Sequence, residues 1–93
     1  MKKYQAFSER FTSKEFTDYE EALKEYEKIK DQEISDQVDE DSYVELIVSE
    51  DDFEDSVTIK KAVIVVDEER MAISTPKEEG YEWDYWAKWQ ETI

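Results

Sequence analysis

The 93-residue chain has no cysteine and no histidine, and only one glycine and one proline. Without cysteine there is no disulfide framework, thiol nucleophile or thiolate metal site. Without histidine the commonest metal ligand and general base are missing as well. A single glycine excludes a Gly-rich phosphate loop, and no serine-nucleophile motif is present. Carboxylate-only chemistry survives these exclusions, but 27 Asp and Glu residues make any one pair uninformative. The expectation is a protein that is not an enzyme and holds no cofactor or metal. No apolar run approaches the ~20 residues of a spanning helix. Met1-Lys2-Lys3-Tyr4 leads into mixed polar sequence, not the apolar core of roughly 7 to 15 residues that marks a secretory leader. The chain therefore reads as soluble and cytoplasmic, a single domain over residues 1–93.

Positive charge is scarce too: 12 Lys and Arg against 27 Asp and Glu leave a formal charge of −15. That sign opposes direct binding to nucleic acid, to anionic membrane or to an acidic substrate, so a long-range partner should be basic. With 42% charged residues and a mean hydropathy of −0.92, the chain lies near the composition at which burial fails to offset ordering. That ordering costs ~1 to 2 kcal/mol per residue. Three Trp, six Tyr and four Phe, together with several β-branched runs, argue for a folded domain all the same.

Residues Lys2 to Phe11 alternate imperfectly and predict a strand. A helix follows from about Asp18 to Lys30. Thr17 and Glu20 have capping-box spacing, and Tyr19, Ala22, Leu23, Tyr26 and Ile29 form one apolar stripe. Asp31 to Ser42 holds no period and reads as a mobile loop. Tyr43 to Ser49 and Val57 to Val66 predict two antiparallel strands joined by the turn 50–56, with a bulge or a change of face at Lys60 and Lys61. Asp67 to Arg70 reads as a turn, and Met71 to Thr75 as a returning strand that Pro76 ends. After Gly80, YEWDYWAKWQETI fits either a short helix or a strand. The fold expected is α+β in two layers, an antiparallel sheet of about four strands under one amphipathic helix, in the order β-α-β-β-β with a possible short C-terminal helix.

Between Lys30 and Lys60 there is no base, while twelve carboxylates occur there. Asp36, Asp39, Glu40 and Asp41 precede the second strand, and Glu50, Asp51, Asp52, Glu54 and Asp55 follow it. These nine are candidate partner-binding residues if the two groups share one edge or end of the sheet. Convergence matters because −15 spread evenly over a domain ~32 Å across is several-fold more dilute than the charge of a duplex. Two other readings stand beside this one: an acidic face that serves solubility alone, and a cation held by Asp36, Asp39 and Asp41 or by Asp51, Asp52 and Asp55. The cation reading lacks the loop glycine and terminal glutamate of an EF-hand.

Trp83, Trp86 and Trp89 fall within seven residues, beside Tyr81 and Tyr85. They suit a lid on the sheet, since each aromatic buries ~150 to 250 Å². They also suit a contact surface, with Trp83 and Trp86 as anchors in a polar rim.

The first strand, the helix TDYEEALKEYEKIKD, then YVELIVSE and the β-rich stretch after it resemble a style common among small acidic proteins of bacteriophages and mobile elements, including anti-CRISPR and anti-restriction inhibitors. The likeness covers residues 4–66 and is one of size, acidity and element order. It implies a protein that blocks a basic nucleic-acid-binding defence enzyme, such as a CRISPR nuclease, by offering carboxylates where phosphates would sit; separately, the chain is expected to be a monomer or homodimer. The alternative is a small structural or regulatory subunit that binds through its Trp-rich tail or a strand edge. Truncation after Gly80 is the expected discriminator.

Overall fold

Alternation of apolar and polar residues builds the sheet of this computed structural model, which describes residues 2–36 and 38–92, the side chain of Asp36 excepted. The elements are β1 (Lys3–Ser8), α1 (Tyr19–Asp36), β2 (Tyr43–Ser49), β3 (Val57–Val66), α2 (Glu68–Ile73), a 3-10 turn (Lys77–Glu79) and β4 (Ala87–Glu91). The four strands lie in sequence order and pair antiparallel throughout, and α1 packs on β1, β2 and β4. The architecture is the two-layer α+β meander that the periodicities predict. Ala6, Val44, Leu46 and Ala62 point from the sheet toward Ala22, Tyr26 and Ile29 of α1, and these seven form the core. The helical three recur at i, i+4 and i+7, which places them on one stripe.

Several boundaries differ from expectation. β1 ends at Ser8, not Phe11, because the chain turns back along its outer edge. Tyr4 and Phe16 exchange backbone hydrogen bonds of 2.7 and 2.8 Å, and the Ser13 amide donates to the Ala6 carbonyl at 2.8 Å. This returning segment pairs an edge that would otherwise be open. Helix α1 starts under Asp18, whose Oδ1 accepts from the Glu20 amide at 2.9 Å, so Asp18 rather than Thr17 supplies the cap. The helix also continues past Lys30 to Asp36, where a loop is expected. Glu33 extends the buried stripe one turn beyond Ile29. Its carboxylate accepts from Ser8 Oγ at 2.6 Å and forms an ion pair with Arg10. Burial pushes the Glu33 pKa up, but those hydrogen bonds and the Arg10 charge outweigh it, and the net direction is down.

The stretch Met71–Thr75 is not a strand. Asp67 Oδ1 accepts from the Arg70 amide at 3.2 Å and caps α2, and the adjacent acids Glu68 and Glu69 suit its first turn. The fourth strand comes instead from the tail, which settles helix against strand for residues 87–91. The Tyr26 hydroxyl donates to Glu91 Oε2 at 2.7 Å, Lys30 Nζ donates to Glu91 Oε1 at 3.0 Å, and Trp89 Nε1 donates to the Lys30 carbonyl at 2.9 Å. These three bonds fasten β4 to α1. Burial first, then the Glu91 carboxylate, raises the Tyr26 pKa, so the phenol stays protonated. The expected bulge is present: Leu46 pairs with Lys60 and Ile47 with Thr58, which leaves Ile59 as the extra residue on β3, packed against the core.

The molecule measures 51 × 21 × 21 Å, with a radius of gyration of 15.4 Å. A compact domain of this length would have ~12 Å. The expected globule of ~32 Å is thus replaced by a short rod.

Candidate functional site

Strand β2 stands between the two acidic turns, so they lie at its opposite ends, about 20 Å apart along an extended chain. The convergence of all nine candidate carboxylates on one edge or end of the sheet does not occur. The side chain of Asp36 lies outside the described residues. The remaining candidates fall into separate groups at the two ends of β2.

At the hairpin end, Ser49 organises the turn from β2 to β3. Its buried hydroxyl accepts from the Phe53 amide at 2.9 Å and lies 2.7 Å from Asp51 Oδ1, which also accepts from the Asp55 amide at 3.0 Å. Asp52 and Phe53 adopt left-handed φ values of 56° and 67° without a glycine, which non-glycine residues seldom do. Asp52 accepts from Lys3 Nζ at 2.6 Å. The Ser49 hydroxyl and the Asp55 amide hold the Asp51 pKa down, and Lys3 does the same to Asp52. Asp51 and Asp52 therefore serve the turn itself. Glu50, Glu54 and Asp55 are exposed and make no ion pair among the described residues.

At the other end, Asp39 Oδ1 accepts from the Asp41 amide at 2.9 Å, and Ser42 Oγ accepts from the Asp39 amide at 3.0 Å. These bonds close the turn from α1 to β2 and leave Glu40 and Asp41 exposed. Val38, at the start of this turn, lines a cavity of about 560 Å³ with Ile34, Arg70 and residues 81–87. Tyr81 and Trp83 stack in it at 4.9 Å and 11° between planes, and both meet Trp86 edge-on, at 5.7 and 6.0 Å. The Arg70 guanidinium lies 3.6 Å from the Trp86 ring centroid.

The tryptophans divide by role. Trp86 is 4% exposed, its Nε1 donates to the Ser74 carbonyl at 3.0 Å, and its carbonyl accepts from the Asp67 amide at 2.8 Å. It anchors α2 and the tail, and is not the exposed contact expected of it. Trp89 is fixed to α1. Trp83 is 47% exposed and Tyr81 50%. Trp83 alone of the two tryptophan candidates thus presents a contact surface. Arg70 went unsingled as a site residue, although it is the only base between Lys61 and Lys77. Ile34 and Val38 carried no signal, because they sit in a stretch with no apolar period.

Among the described residues no group of three or more acidic side chains is arranged to hold a metal ion, and no helix is long and apolar enough to cross a membrane. The arrangement offers instead a half-exposed aromatic groove with acids around it, and an acidic hairpin at the far end. Compared with protein-family models, curated proteins and solved structures, the chain has no significant match.

Proposed function

We propose that this chain is an inhibitory interaction protein that occupies the basic nucleic-acid groove of a partner, with a defence nuclease such as a CRISPR effector as the partner class. The rod carries the reading. Its 21 × 21 Å section is close to the width of a duplex, roughly 20 Å, and −15 over 51 Å is one net charge per 3.4 Å of length. That is half the linear density of a duplex, which carries one charge per ~1.7 Å, so the likeness is one of width and sign of charge. Carboxylates at both ends of β2 that make no ion pair among the described residues, among them Glu50, Glu54, Asp55, Glu40 and Asp41, pair with Arg and Lys of the groove, steer encounter and exclude the nucleic acid. Block is steric and stoichiometric.

The test is competition with a guide-loaded CRISPR nuclease. The chain should prevent duplex binding at one-to-one stoichiometry, with an affinity that falls steeply between 50 and 200 mM salt, as phosphate-like binding does. Ternary complexes of nuclease, duplex and chain, or binding indifferent to salt, would sink the reading. The alternative, a regulatory subunit that binds through its aromatic tail, is favoured by the exposed Tyr81–Trp83 stack alone. Truncation after Gly80 no longer discriminates between them, because it removes β4 and Trp86 from the fold.

A further inference from the structure

We infer that the groove between the end of α1 and residues 81–87 takes an arginine side chain presented by a peptide segment of the basic partner. The inference rests on the proposed docking to a basic protein and assigns the chemistry of one contact within it. Three observations lead to it. The groove's volume of about 560 Å³ lies within the ~300 to 1,000 Å³ usual for ligand sites, and the stacked rings of Tyr81 and Trp83 in its wall are half-exposed. The groove already contains a guanidinium laid over an indole: Arg70 on Trp86 at 3.6 Å. The lining carries two acids, Glu82 and Asp84, against one base, Arg70, and Val38 on its wall is followed in the chain by Asp39, Glu40 and Asp41.

The chemistry selects arginine over other cations. A planar guanidinium stacks on an aromatic face and accepts a carboxylate on its edge at the same time, whereas an ammonium is a strongly hydrated point charge. Asp84 is engaged by Lys77 at 3.2 Å, while Glu82, also lining the groove, makes no ion pair among the described residues. Trp83 supplies the stacking face and Glu82 the edge partner.

The full chain is titrated with blocked Gly-Arg-Gly peptide at 0.15 M salt, while indole N–H signals are followed by NMR, and then with the lysine and citrulline counterparts. The arginine peptide should shift the Trp83 indole signal, with the lysine form at least threefold weaker and the uncharged citrulline form about tenfold weaker. Trp83→Ala, at an exposed position, should weaken the arginine peptide about fivefold. Equal response to arginine and lysine, or unchanged affinity in Trp83→Ala, overturns the assignment. A triple change of Glu50, Glu54 and Asp55 to Lys at the far end keeps the two proposals apart. It should abolish competition with duplex yet leave peptide affinity within twofold. Competition that survives the triple change overturns the docking reading and leaves the arginine site standing, whereas peptide affinity that falls more than twofold overturns the assignment of arginine to the groove.

Discussion

At the hairpin end, a buried serine and two aspartates fold a polar turn on themselves, and the nearest rings in register, Tyr4 edge-on to Tyr19, are half-buried against the core. At the groove end, the polar turn 38–42 borders a cluster of Tyr81, Trp83 and Trp86 under α2 and the last turn of α1. Both ends expose carboxylates, and at the groove end they stand beside half-exposed rings that line a cavity. The difference shows that acidity alone does not define a site here. Charge at the hairpin end acts at a distance through the field, whereas the groove end offers contact at van der Waals range as well.

The comparison breaks first at Trp86. Trp86→Ala should cost about 3 to 5 kcal/mol by urea denaturation, since it removes a nearly fully buried ring and the hydrogen bond to Ser74. No substitution in the hairpin should approach that. Acid sensitivity is shared, since Asp51 and Asp52 are also held down in the hairpin, but Glu33 is the buried carboxylate among these three. The Glu33 pKa is depressed in the folded state below its ordinary 4.5, so its contribution is present above that value and lost as pH falls through the folded pKa. Thermal unfolding should therefore be level near neutrality and decline below about pH 4.5. Glu33→Gln should lower stability at pH 7 and flatten the decline.

At the hairpin end the largest effect should come from Ser49→Ala. It leaves the Phe53 amide and Asp51 without their partner, at about 1 to 2 kcal/mol in the same denaturation assay. Trp83→Ala should cost about 1 kcal/mol or less, because the ring is half-exposed and loses chiefly its stack on Tyr81. Lys3→Met should leave the melting temperature unchanged, because its pair with Asp52 is exposed and screened. A clear loss there would mean that the hairpin depends on the ion pair rather than on Ser49.

Much of the fold was legible. Tyr43–Ser49 and Val57–Val66 have the observed bounds because period-two alternation and β-branched residues report directly on a half-buried sheet. The helix was placed by its apolar stripe but stopped short, because Glu33 reads as a solvent-facing acid until Arg10 and Ser8 are seen beside it. Met71–Thr75 reads as a strand in the sequence because three apolar residues are too few to tell one period from another, and the capping Asp67 has the look of a turn residue. Of the nine candidate acids, exposure was foreseeable and position was not. Which acids cluster depends on the direction of β2 between them.

Composition determined the absence of thiol and imidazole chemistry and the strong negative charge, and periodicity determined the element order. Those properties are local or additive, so they survive without knowledge of partners distant in the chain. Tertiary structure alone decided that the carboxylates divide between two ends, that Trp86 is buried while Trp83 is exposed, and that Arg70 meets an indole sixteen residues away. Each of those outcomes depends on a strand's direction or on packing between elements remote in sequence.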